Sequence, residues 1–158
     1  MSVNRPTIEH LMIACRHVRE LMNANVTENL AIRTLEIFTD VYAKMLHGGS
    51  ASPHHVNQVP LTQWSTKARA LRDSGASLAG QLRVEHGTPR RNFARKVLAL
   101  YESGNLTEAA MDDLSRKLWK LAVITIGEDR ALNQSMRSAE FDSPDARWRK
   151  AGITFVAE

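Results

Sequence analysis

The sequence predicts one mainly α-helical domain over residues 1–158, with about seven helices and two or three short β-strands in the C-terminal half. Three observations predict it. Apolar residues recur at helical spacing through the first third of the chain, whereas compact β-branched runs occur only in the second half. Helix-start signals return along the whole length: Thr7, Thr27, Thr62, Thr88 before Pro89, Thr107, Thr125, and Ser143 before Pro144. The length and the 43% apolar content suffice for one sizeable core.

Taken in order, Thr7 caps a helix running to residue 23, whose apolar stripe is Ile8, Leu11, Met12, Cys15, Val18 and Met22. Thr27 caps a second helix to residue 46, with Leu30, Leu35, Phe38, Val41, Tyr42 and Met45 inward and Gly48 and Gly49 as its stop. The short connection makes residues 1–46 a helical hairpin. Residues 47–62 read as a loop. Its His54 and His55 suggest metal binding only weakly, because no further ligand stands at a recognisable spacing. Residues 63–158 form a helical region with a small β element. Thr62 caps a helix over 63–73 that carries Trp64, Lys67, Arg69 and Arg72.

A short strand is expected over 82–85. Thr88 then caps a fourth helix with Pro89 at its first position, and Phe93, Val97, Leu100 and Tyr101 face the core until Gly104 ends it. Thr107 caps a fifth helix to about residue 119, with Leu106 and Met111 at the spacing of a hydrophobic staple. KLAVIT, residues 120–125, is the strongest strand pattern and runs into the capping box formed by Thr125 and Glu128. A sixth helix follows over 126–135. A seventh starts at Ser143 and Pro144 and stops at Gly152, and ITFV, residues 153–156, reads as a last strand.

No apolar run reaches the roughly 20 residues of a membrane span. The first ten residues lack a basic-then-apolar leader pattern, and Cys15 stands alone. The expectation is a cytoplasmic protein with no membrane association. Charge is uneven: residues 63–101 hold eight Lys/Arg against two Asp/Glu, while the net charge of the chain is only +4. Lys67, Arg69, Arg72, Arg83, Arg90, Arg91, Arg95 and Lys96 therefore form the candidate partner-binding set, suited to nucleic acid, a nucleoprotein or an acidic protein.

One stretch inside this set suggests chemistry. In LRVEHGTPRR, residues 82–91, Glu85 and His86 stand where a strand gives way to a helix start. If the strands ending at Glu85 and at Thr125 paired, Asp129 and Asn133 on the next helix would meet Glu85 and His86. The oxygen ligands Glu85, Asp129 and Asn133 would suit Mg²⁺ or Mn²⁺, with His86 as general base toward phosphorus. VEHGTP, residues 84–89, resembles the first motif of HNH endonucleases, often V-D-H-x-x-P at a strand end. The resemblance spans residues 84–133 at most. It implies Glu85 as the first metal ligand, His86 as the general base, and Asp129 or Asn133 as the ligand from the closing helix of a ββα-metal unit.

A helix-turn-helix reading fails on charge. The would-be recognition helix opens with Glu108, Asp112 and Asp113, which repel a duplex. Three functions stay open. The first is a non-catalytic accessory protein that binds nucleic acid or a nucleoprotein through the basic 63–101 surface, needing no cofactor. The second is an HNH-like metal-dependent nuclease. The third is a protein-binding regulator or inhibitor of the mobile-element type. Oligomeric state is not legible from these patterns.

Overall fold

Thr7 opens the first helix as expected, and His10 completes the cap. The Thr7 side chain accepts from the His10 amide at 3.3 Å, and His10 Nδ1 accepts from the Thr7 amide at 3.1 Å. The computed structural model to which these distances belong describes residues 5–49, 62–136 and 140–156. His54 and His55 lie outside the described residues. The chain is mainly α with a small three-stranded sheet. It divides into two compact units: 1–59 with 90–117, and 60–89 with 118–158.

The first unit is helical: α1 (Ile8–Asn23), α2 (Glu28–Ala31), α3 (Arg33–Leu46), α5 (Arg90–Glu102) and α6 (Glu108–Leu118). α4 (Thr66–Asp73) belongs to the second unit. The continuous helix expected over 28–46 is interrupted at Ile32. Arg33 Nε donates to the Asn29 carbonyl at 3.1 Å, the acceptor that an unbroken helix offers to the Arg33 amide. Thr27 supplies an extended entry but makes no side-chain cap bond. Leu30, expected inward, is 65% exposed; it stands five residues before Leu35, about 140° away around a helix, and so off the face that Leu35 buries. Met12 is also largely outside, whereas Leu11, Cys15 and Val18 are fully buried.

α3 packs against α1 and α5. Its Leu35 and Tyr42 join Phe93, Val97 and Leu98 of α5 in the buried set. Thr39 is buried within α3, and its hydroxyl is satisfied by donating to the Leu35 carbonyl at 2.8 Å. Arg91 of α5 donates to Glu36 at 2.6 Å, and Arg95 Nε donates to Glu28 at 2.9 Å. Arg19 of α1 pairs with Glu102. α6 starts on Thr107, whose hydroxyl accepts from the Ala110 amide at 3.1 Å. Leu106 and Met111, at staple spacing, are both buried.

The second unit contains β1 (Gln63–Trp64), α4 (Thr66–Asp73), β2 (Leu82–His86), β3 (Leu121–Thr125), α7 (Ile126–Ser135) and α8 (Pro144–Lys150). β3 is central, in the order β1-β3-β2, parallel to β1 and antiparallel to β2. Its apolar run follows from this place, since Leu121, Ala122, Val123 and Ile124 are all buried. One core cluster joins Ala122 and Ile124 to Leu132 of α7, Trp148 of α8 and Ile153.

Two elements here differ from expectation. Gln63 and Trp64 form a strand, and the helix is capped by Ser65 rather than Thr62, with Ser65 Oγ accepting from the Ala68 amide at 3.1 Å. The Ser65 amide still donates to the Val123 carbonyl at 2.9 Å, so pairing with β3 holds the chain extended up to the cap. The C-terminal ITFV forms only a single bridge, between Phe155 and Ser65, instead of a strand. The Ser143 and Pro144 helix start and the Gly152 stop stand as expected. Among the described residues no helix is long and apolar enough to cross a membrane.

Candidate functional site

Successive residues of a strand point to opposite faces, and this decides what Glu85 and His86 can do. Glu85 is paired in register with Ala122, a member of the cluster under α8. Its carboxylate therefore meets α8, where Arg147 Nη1 donates to Oε1 at 2.8 Å. The same nitrogen donates to the His86 carbonyl at 3.0 Å, and Arg147 Nε donates to the Met136 carbonyl at 3.0 Å. Arg147 is only 2% exposed, so Glu85 serves as the counter-charge of a buried guanidinium.

The His86 ring leaves by the other face. It lies edge-on to Trp119, with centroids 6.3 Å apart and an interplanar angle of 77°. The two side chains therefore do not form the carboxylate–imidazole pair that their adjacency in sequence suggested. Beyond them, the Gly87 amide donates to the Lys120 carbonyl at 2.9 Å, which continues the ladder by one residue. Gly87 is required there: a Cβ at this position would stand 2.3 Å from Pro144 Cβ and 3.1 Å from the Trp148 ring. Lys120 Nζ donates to Asp145 at 2.9 Å on the same side of the unit.

Asp129 and Asn133 lie on α7, which leaves β3 at Thr125 opposite Leu82. The antiparallel register sets this end three strand residues from Glu85, roughly 10 Å along the sheet. Only a parallel pairing would have brought the two strand ends together; in the antiparallel one the start of α7 lies away from Glu85, and Arg147 joins Glu85 to the Met136 carbonyl just past the other end of α7. Among the described residues no group of three or more His, Cys, Asp or Glu side chains could hold a metal ion. Glu128 is engaged in structure. Its Oε2 accepts from the Thr125 amide at 2.9 Å and from the Ser65 hydroxyl at 2.7 Å, tying the starts of α4 and α7 together.

The basic candidates divide between the units. Lys67, Arg69 and Arg72 project from α4 and Arg83 from β2, whereas Arg90, Arg91, Arg95 and Lys96 belong to α5. Arg91 and Arg95 are tied to carboxylates of their own unit; Arg90 and Lys96 are exposed. On α4, Lys67 and Arg72 are exposed, and the Arg72 guanidinium carbon lies 4.7 Å from the centre of the Trp64 ring. Sequence reading found these cations but took Trp64 for a helical residue, and so missed the stack. The signal that could have revealed it is the aromatic residue just before a serine cap.

No protein-family model matches the sequence, and neither a curated protein nor a solved structure matches it.

Proposed function

We propose that this is a cytoplasmic, non-catalytic protein that binds nucleic acid through the basic segment 63–101, with α4 and the Trp64 stack as its principal contact. One observation carries the reading: Arg72 is laid against Trp64 at 4.7 Å beside the exposed Lys67. A planar guanidinium backed by an aromatic ring offers an outer face on which an unpaired base can stack, while neighbouring cations follow the phosphates. The first turn of α4 contains no carboxylate; the one at its end, Asp73, accepts from Arg72 Nε at 3.2 Å as an exposed pair, which water screens. This arrangement favours single strands over a duplex. α5 adds Arg90 and Lys96, but not Arg91 and Arg95, whose charges are already matched.

The test is retention of labelled single- and double-stranded DNA and RNA over a salt series. Displaced counterions should give log K against log salt a slope of roughly −0.7 per phosphate contacted on a single strand. Replacing Lys67, Arg69 and Arg72 together by Ala should flatten that slope by about 2 and weaken binding of every sequence alike. Trp64→Ala should weaken single-strand binding by roughly 1–3 kcal/mol with the slope kept. Absence of salt-sensitive retention in the parent protein would refute the reading, and a complex that persists after nuclease treatment would direct it to an acidic protein partner instead. Cleavage that requires both Mg²⁺ or Mn²⁺ and His86 would restore the nuclease reading.

A further inference from the structure

The sheet order β1-β3-β2 leaves one side of β2 without a neighbouring strand among the described residues. The Gly87 amide donates to the Lys120 carbonyl, and the Ile126 amide to the Gln81 carbonyl, so these two pairs are hydrogen-bonded positions of the β2–β3 ladder. Such positions alternate along an antiparallel pair, and Arg83 and Glu85 therefore aim their backbone groups at Ile124 and Ala122 of β3. The Val123 carbonyl agrees, since it accepts from Ser65 on the β1 side. The amides and carbonyls of Leu82 and Val84 thus point away from the sheet, and they have no partner among the described residues.

This edge is complementary to itself. In Leu82-Arg83-Val84-Glu85-His86 a basic and an acidic residue stand at mirror positions about Val84. Beside an antiparallel second copy, with the two-fold axis at Val84, Arg83 lies directly opposite Glu85 of that copy and Glu85 opposite its Arg83. These are the non-hydrogen-bonded positions of the new ladder, where side chains approach most closely. The outward groups supply its bonds. Val84 exchanges both of its bonds with Val84 of the copy. The Leu82 amide meets the His86 carbonyl, which accepts from Arg147 Nη1 at 3.0 Å and keeps a second lone pair. A slip of one residue would set outward groups against inward ones, and parallel pairing in register would place Arg83 on Arg83 and Glu85 on Glu85.

The charges are available for this match. Arg83 is exposed and has no ion pair among the described residues. Glu85 gives Oε1 to Arg147, and its side chain is still 21% exposed, so a second guanidinium can reach it.

We propose that β2 is a homodimerisation edge: two copies pair antiparallel about Val84, with Arg83 and Glu85 of each matched across the axis. The same two charges disfavour other registers and select this one. β2 lies at the edge opposite β1 and Trp64, so the pairing is independent of the nucleic-acid reading.

The experiment combines sedimentation equilibrium with amide exchange read by ¹⁵N–¹H NMR, on the full chain from roughly 10 µM to 1 mM. The expected result is a reversible monomer–dimer equilibrium in which the Leu82 and Val84 amides gain protection as concentration rises. The Arg83 and Glu85 amides, bonded to β3, are protected throughout. Arg83→Glu replaces two cross-strand attractions by two repulsions and should raise the dimer Kd roughly tenfold. Val84→Pro removes the outward donor at the axis and spares the ladder to β3, so it should abolish the dimer with the circular dichroism spectrum kept. If Val84→Pro fails to fold, Arg83→Glu decides alone, because Arg83 pairs with nothing described in its own copy. The proposal is overturned if the chain stays monomeric up to about 1 mM. It is equally overturned if Val84 amide exchange is independent of concentration, or if Arg83→Glu dimerises as tightly as the parent.

Discussion

Replacing Glu85 by Gln leaves Arg147 as a buried cation without its counter-charge. Removing one partner of a buried ion pair typically costs about 3–5 kcal/mol. Two features reduce that figure here. Arg147 keeps the His86 and Met136 carbonyls as acceptors, and the Glu85 side chain is 21% exposed, so water can approach the gap. We expect a loss of roughly 2–3 kcal/mol in urea unfolding, or a fall in Tm of roughly 5–10 °C for a chain of this size. The double variant Glu85→Gln with Arg147→Met should be more stable than the sum of the single losses by roughly 1–3 kcal/mol, since it removes both charges. Glu85→Gln within about 0.5 kcal/mol of the parent, or a cycle without coupling, would refute the assignment of Glu85 to structure.

Three further perturbations test other parts of the fold. Gly87→Ala drives a methyl group into Pro144 and should cost roughly 1–3 kcal/mol by overpacking, read as a lower urea midpoint at unchanged slope. Ser65→Ala removes both the α4 cap and a donor to the buried Glu128, and should cost roughly 1–3 kcal/mol; an unchanged midpoint would contradict the network. Burial pushes the Cys15 thiol from its ordinary 9.0 up to about 12, against the pull of Arg19. The raised folded value means this stability is complete below pH 9 and is lost as pH rises from 9.0 toward 12, by about 1.4 kcal/mol per pH unit in that window. Unfolding curves at pH 8 and pH 10 should therefore diverge in the parent and less so in Cys15→Ala.

Local signals carried most of the elements, because caps, staples and strand periodicity are properties of a few adjacent residues. Thr7, Thr107, Thr125 with Glu128, and Ser143 with Pro144 each open the helix they promise. The errors arise where a distant or competing group intervenes. Gln63 and Trp64 have no strand periodicity of their own; pairing with β3 makes them extended. At the break after Ala31 the Arg33 side chain takes up the Asn29 carbonyl, a contact that helical periodicity does not report.

The candidate site was legible only as a set of residue types. Adjacent residues of a strand face apart, and because β2 runs one residue further than the 82–85 expected, Glu85 and His86 are separated. The antiparallel pairing that sets the Glu85 strand end apart from the Thr125 strand end, by contrast, is a long-range choice. Arg147, the residue that determines what Glu85 does, sits in an exposed-looking run, DARWRK. Nothing in that run marks one arginine of the two for burial.

The path of the chain has a consequence for synthesis. Each compact unit is made of two stretches, and the polypeptide passes from one unit to the other near residues 59, 89 and 117. The helical unit cannot close until α6 has left the ribosome, by which time β1 and β2 have emerged without the central strand they pair with. For that interval β2 presents two open edges. Arg83 and Glu85 put charge of both signs into that segment, the composition that discourages strand-to-strand association while a strand lacks its neighbour, and Glu85 becomes the partner of Arg147 once α8 is in place. No contiguous fragment of this chain contains a whole unit without also carrying part of the other.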